Sequence, residues 1–283
     1  MAKPVRLFFL AALVLLAAAC SAPLRHYRPD PSNPVYTVAV LPMYNVTNDV
    51  EGAQKVREEF YRRLTVRQYS VVPIPDVDRE LMDGMGITLG DQLDMTTPEE
   101  LGKLLGVDGL VYGYLLDFDD ITTGLYNVKK VRAAFKLVET SSGTVVWSRA
   151  LGVKSILAGG DAGKGLTAFE EILGSNDANE PFGTIPGLEG IPGIRDWRVI
   201  RLGATKKPGE AAVFSLGETL VTKALGVHLM LEANEMLNLL TRDFPVGPGS
   251  PRQLSAPGPA VEAPATELNG EGHDNIYNGG RLR

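Results

Sequence analysis

An α/β fold, a mixed β-sheet with helices packed on it, is predicted by three features of this 283-residue chain. Two runs, Tyr36–Leu41 and Gly109–Leu116, have the apolar and β-branched content of buried strands. Between them, apolar side chains recur at helical spacing. Beyond them, Val128–Glu139 and Thr144–Lys154 alternate in polarity around Ser141-Ser142-Gly143, the pattern of a hairpin closed by a short glycine turn. The predicted order is β-α-β-α-α-β-β-β over residues 35–155, then an irregular insertion over 156–212 and a C-terminal helix over 213–243.

The first strand ends at Pro42. Residues 53–68 then carry Val56, Phe60, Tyr61 and Leu64 on one side and Lys, Arg and Glu on the other, which makes an amphipathic helix. Tyr69–Ile74 returns as the second strand. Pro75 and Asp76 open another helix, since proline fits the first turn and a carboxylate suits its positive end. It carries Val77, Leu81 and Met82 and stops at Gly84 and Gly86. Thr97-Pro98-Glu99-Glu100 is a capping box with proline at the first helical position; the helix through Leu101, Leu104 and Leu105 ends at Gly106. Gly109–Leu116 is apolar on both faces and therefore central. In the hairpin, Val131, Ala133, Phe135 and Leu137 share a face; on the return strand Val145, Trp147, Arg149 and Leu151 do, with Val146 opposite.

Residues 156–212 are dense in Gly and Pro, and their repeated Ile/Leu-Pro-Gly units forbid long regular elements. They predict a surface excursion with a short helix at Leu166–Leu173. From Ala211 to Arg242 the chain turns helix-like again. Lys223, Glu232 and Glu235 would each cost roughly 2.5 kcal/mol or more at a bilayer centre, so the run is expected to cover the sheet rather than to span a membrane. The Pro/Gly/Ala/Glu-rich stretch 244–283 reads as a disordered tail.

The N-terminus carries a separate message. Lys3 and Arg6 precede an apolar run, Leu7–Leu16, and then Ala17-Ala18-Ala19 and Cys20, the one cysteine of the chain. Basic head, short apolar core and small-residue site make residues 1–19 a secretory signal. A cysteine directly after the site resembles the lipobox of bacterial lipoproteins, in which the thiol is diacylated and the freed amine becomes the first residue. Two or three acyl chains give a stable anchor where one is marginal. Residues 20–34, rich in proline and polar groups, would form the tether. The formal charge of −6, with no basic run, excludes nucleic acid as a natural partner and argues against docking on anionic lipid by charge. His26, His228 and His273 are far apart in sequence, and with Cys20 acylated no zinc ligand set remains.

Motifs for chemistry are sparse. Gly159–Gly165 (GGDAGKG) lacks the leading glycine and the following Ser or Thr of a phosphate loop, so no nucleotide cofactor is expected. No Gly-x-Ser-x-Gly and no His-Glu-x-x-His occurs. Asp117, Asp119 and Asp120, with Thr122 and Thr123, follow a central strand, where α/β sheets gather ligands. They form either a loop for a ligand or hard cation, or an acidic turn whose side chains bond to the backbone. Tyr112 and Tyr114, and the loop 123–127 with Tyr126 and Asn127, are the candidate exposed contact points, with core packing the favoured role for Tyr112 and Tyr114.

By residue 155 the blocks at 36–50 (YTVAVLPMYNVTNDV) and 86–155, from GITLGDQLDMTTPEELGKLLGVDGLVYGYLLDF onward, resemble a family of bacterial lipoproteins of unassigned function, of the meningococcal surface-lipoprotein antigen type. The resemblance implies an α/β domain similar to the amino-terminal domain of TolB and to the periplasmic domain of the curli-secretion lipoprotein. It implies a curli-secretion-like lipoprotein as companion and a role in envelope transport, and carries over no catalytic residue. The expectation is a non-enzymatic, lipid-anchored accessory subunit of a secretion or transport assembly. Ser21 after the cysteine fits the outer membrane, facing the periplasm, with surface exposure and self-association left open. The alternative is a periplasmic small-ligand or cation receptor using Asp117–Thr123. A pore-forming role would need lipid-facing hairpins, which Lys129, Lys130, Arg132, Lys136 and Arg149 do not suit.

Overall fold

The computed structural model describes residues 27–122, 126–159, 182–205, 221 and 228–249, all within the compact unit Met1–Ser250. The signal segment, Cys20, the stretch around Leu166–Leu173 and the chain beyond 249 lie outside the described residues. Strand β1 (Thr37–Val40) stops where Pro42 removes a backbone donor, and pairing resumes at the two-residue β2 (Tyr44–Asn45) on the same side of its neighbour. Helix α1 (Val50–Thr65) is capped by Asp49, whose carboxylate accepts from the Gly52 N–H at 2.6 Å. After β3 (Ser70–Val71), helix α2 (Ile74–Met85) ends on Gly86 in the left-handed conformation. Helix α3 (Pro98–Leu105) starts with the predicted capping box: Thr97 Oγ1 accepts from the Glu100 N–H, and the Glu100 carboxylate accepts from the Thr97 N–H.

Three long strands follow, β4 (Gly109–Thr122), β5 (Tyr126–Glu139) and β6 (Val145–Gly159), and then β7 (Trp197–Thr205) and helix α4 (Met230–Leu240). The sheet order is β3-β1-β4-β5-β6-β7, with β2 beside β4. Pairing is parallel from β3 through β1 to β4, antiparallel through β5 and β6, and parallel again to β7. This is the mixed α/β sheet that the sequence predicts. Four details differ. The excursion 156–212 contains β7, which the dense glycines around it disguise. The hairpin is longer at its open end, so residues 117–122 are strand and not loop. A left-handed Leu229 (φ 57°) breaks the helix expected over 213–243, and α4 starts only at Met230. Finally, both the tether and the tail contribute ordered chain. The Asp30 N–H donates to the Gly247 carbonyl (3.0 Å), Asn33 Nδ2 to that of Val246 (2.9 Å), and the Gly247 N–H to that of Arg67 (2.8 Å).

One face of the sheet is covered by α1 and α4. Val56, Phe60, Leu64, Ala233, Met236, Leu237 and Leu240 pack on Val131, Ala133, Phe135 and Leu137, all buried. Phe60 stacks on Phe135 with centroids 4.1 Å apart, and Phe244 meets Phe60 edge-on at 5.7 Å. The opposite face is covered in two parts. Over β1 and the start of β4 lie α2 and α3, with Val77, Leu81 and Leu101 against Ala39, Leu41 and Leu110. Over the middle of β4, β5 and β6 the cover, among the described residues, is the stretch Ile185–Ile194.

That stretch has its own geometry. Ile185-Pro-Gly, Leu188-Glu-Gly and Ile191-Pro-Gly form a three-residue repeat leading to Ile194. The Leu188 N–H donates to the Ile185 carbonyl at 3.2 Å, and the Ile191 N–H to the Leu188 carbonyl at 3.3 Å. Gly187, Gly190 and Gly193 have φ of 73°, 75° and 83°, the left-handed third position that type II turns require. Consecutive turns thereby return an aliphatic side chain to the same face every third residue. Leu188 and Ile191 are buried there against Tyr114, Leu116, Ala134 and Ala150.

Candidate functional site

At the carboxyl end of β1, where ligands collect in open α/β sheets, a cleft of about 570 Å³ opens. Its first wall is the turn from β2 into α1. Asn45 Oδ1 accepts from the Thr47 N–H (3.0 Å) and hydroxyl (2.8 Å), and Asn45 Nδ2 donates to the Asp49 carbonyl, delivering Asp49 to its capping position. The second wall is Thr88–Asp91. Gln92 Oε1 accepts from the Thr88 and Leu89 N–H groups at 2.7 and 2.9 Å, and Gly90 lies so close to Met43 that a Cβ would sit 2.2 Å from its carbonyl carbon.

The floor is Arg57, buried on the apolar side of α1 between Val56 and Phe60. Its Nε and Nη2 donate to the Val40 carbonyl at 3.2 and 2.7 Å, closing the end of β1. Its Nη1 donates to Asp78 Oδ2 of α2 at 3.0 Å. The guanidinium is thus spent on the fold, its Nη2 also lying 2.7 Å from Asp78 Oδ1 in an ion pair. The rim is the opposite: Val46, Leu89 and Val50 are 46%, 57% and 76% exposed. Such a cleft suits an apolar segment lying over a polar base. The sequence signal for it was Arg57, a charge on an otherwise apolar helical stripe.

The structure relocates the predicted acidic loop. Asp117, Asp119 and Asp120 lie on β4, and a bulge at Leu116 sets their faces. Asp117 and Asp119 point to the side of the turn repeat. Asp117 is buried between Arg132 (Nε to Oδ2, 2.6 Å) and Lys130 (Nζ to Oδ1, 2.8 Å); Asp119 reaches Lys130 at 3.5 Å. Asp120 points to the α4 side, where its Oδ1 accepts from Asn127 Nδ2 and its Oδ2 lies 3.8 Å from His228 Nε2. Strand alternation therefore separates carboxylates that a cation would need together. Among the described residues no cluster of three or more His, Cys, Asp or Glu could hold a metal ion. The cation loop is corrected to a buried ion-pair network. Arg132, fully buried, is sandwiched between Phe182 and Trp197, with ring centroids 4.4 and 4.7 Å from its Cζ.

The remaining contact candidates are also placed. Asn127 is buried on β5 and is no exposed contact; Thr123 and the side chains at 122 and 126 lie outside the description. Tyr114 is buried and Tyr112 half-buried, because the turn repeat covers them. Lys136 Nζ sits 5.0 and 5.6 Å from their ring centroids and donates to the Gly187 carbonyl at 3.0 Å. Burial pushes the Tyr112 phenol up to about 12 and that of Tyr114 further, and draws the Lys136 ammonium below the usual lysine range. These tyrosines pack; they do not present themselves.

Several known proteins are similar to this chain. The model of the family described as "Putative lipoprotein GNA1162-like" matches residues 29–169. A lipoprotein of Neisseria meningitidis serogroup B, NMB1124/NMB1162, is 26% identical over 146 residues, which are 50% of this chain and 67% of that one. The crystal structure of lipoprotein GNA1162 from Neisseria meningitidis is similar at 21% identity and a TM-score of 0.40, covering 51% of this chain and 99% of that chain. The C-terminal domain of LpoB from Escherichia coli is similar at 14% identity and a TM-score of 0.32, covering 43% and 84%.

Proposed function

This chain belongs, through residues 29–169, to the GNA1162-like lipoprotein family, and on that premise we propose that it is a lipid-anchored, non-enzymatic accessory subunit of a cell-envelope secretion or transport assembly. Acyl chains on Cys20 hold it to the outer membrane with the sheet domain in the periplasm. It acts by contact: the apolar rim of the cleft receives a segment of a second envelope protein, a curli-secretion-like lipoprotein being the partner that the sequence resemblance implies. The observation that carries this reading is the combination of Val46, Val50 and Leu89, exposed around a cleft whose polar floor is already paired within the fold.

Val50 is 76% exposed at the first turn of α1, so a photoreactive amino acid replaces it without disturbing the core. Irradiation of the native envelope is expected to give a covalent adduct with another envelope protein. Uncrosslinked chain alone, with adducts equally absent at Leu89, would remove the contact reading.

A further inference from the structure

The second cavity, of about 350 Å³, is walled by Tyr27, Arg63, Val66, Arg67, Asn238, Thr241 and Arg242. We propose that it binds the phosphate group of an anionic phospholipid in the membrane that carries the anchor. Three guanidiniums and no carboxylate line it. Arg67 is buried and rigid: its Nη1 donates to the Phe244 carbonyl at 2.6 Å, its Nη2 to that of Thr241, and its Cζ lies 4.4 Å from the Tyr27 ring centroid. Arg63 is fixed between helices, with Nη1 2.8 Å from Glu59 Oε2 and Nη2 donating to Asn234 and Asn238. Arg242 lines the cavity and is exposed to solvent. Arg63 and Arg67, their N–H groups engaged within the fold, lend positive charge; the Arg242 fork suits phosphate oxygens, and the Asn238 amide and the Tyr27 hydroxyl add neutral donors.

The position selects the lipid source. Tyr27 is both a wall of the cavity and the seventh residue after Cys20, so the covalent chain allows at most roughly 25 Å between cavity and acylated cysteine. Lipid headgroups are therefore always within reach, at high effective concentration. No basic run in the sequence announces this site, because the fold gathers its cations from residues 63, 67 and 242. The inference rests on acylation at Cys20, part of the function proposed above.

The acylated chain is reconstituted in nanodiscs of phosphatidylcholine, alone or mixed with phosphatidylglycerol, and amide hydrogen exchange is followed at 27–33 and 67–71. Phosphatidylglycerol is expected to slow exchange at both segments about five-fold, the effect of one arginine at an anionic surface. Arg242→Gln is expected to abolish most of that slowing, and Arg242→Lys, which keeps the charge without the fork, to retain part of it. Equal exchange in the two lipids, or slowing untouched by Arg242→Gln, overturns the proposal. Slowing reproduced by inorganic phosphate in pure phosphatidylcholine discs assigns the cavity to a soluble anion and overturns the lipid source. Failure of acylation itself is read separately, by mass spectrometry of the N-terminus. In that case unacylated chain is mixed with vesicles of the same two compositions and the same exchange measurement decides.

Discussion

The two faces of the sheet are covered by different means to the same end. On one, α1 and α4 lay down apolar side chains at helical spacing; on the other, over β4–β6, three glycine-closed turns lay them down every third residue. The difference teaches that covering a sheet needs a period which brings apolar groups back to one side, and that a helix is only one way to supply it. The turn repeat meets this need with Leu188 and Ile191 at 2% and 7% exposure, close to the 0% of Phe60 and Leu237 in the helical cover.

The largest test of this equivalence removes Phe60, fully buried and stacked on Phe135. Phe60→Ala is expected to cost about 3–5 kcal/mol in urea unfolding, the full penalty for a core aromatic. Leu188→Ala then probes the other face. If the turns pack as a true core layer it costs about 3 kcal/mol, comparable with Leu237→Ala on α4; a cost under about 1 kcal/mol would show the repeat to be a loose lid. Next comes the seam joining the chain ends. The Tyr69 phenol accepts from Asn33 and donates to the Pro245 carbonyl, and burial raises it from 10 to about 12. A raised acid binds its proton more tightly when folded, so its contribution is intact below pH 10 and is lost as pH climbs toward 12. A decline of roughly 2–3 kcal/mol is expected across that window, and Tyr69→Phe should flatten its share of the slope while Tyr112 continues to titrate. Smallest is the cap of α3, where Thr97→Ala is expected to cost about 1 kcal/mol in the same unfolding assay.

What could be read in the sequence divides along the same line. Helix α3 was legible because Thr97, Pro98, Glu100 and Gly106 mark its ends locally, and the hairpin because alternation and Gly143 agree. The second cover was not, since its period of three matches neither helix nor strand; the spacing Ile185, Leu188, Ile191, Ile194 was its visible signal. Strand β7 was masked by the glycines before it. The acidic residues were legible as a cluster but not as a divided one: once residues 117–122 are strand, alternation sets Asp117 and Asp120 on opposite faces, and the bulge at Leu116 and the register with Lys130 and Arg132 decide which face each takes. The cleft and the arginine cavity depend on residues brought together from distant segments, which no local pattern reports.

The bonds that clasp Asp30 and Asn33 to Val246 and Gly247 have a mechanical consequence. On the anchorage proposed above, force entering at Tyr27 would meet this clasp before it meets β1. The clasp joins the first and last described segments of the unit, so on that premise it would yield before the sheet, in the manner of a strain relief on a cable.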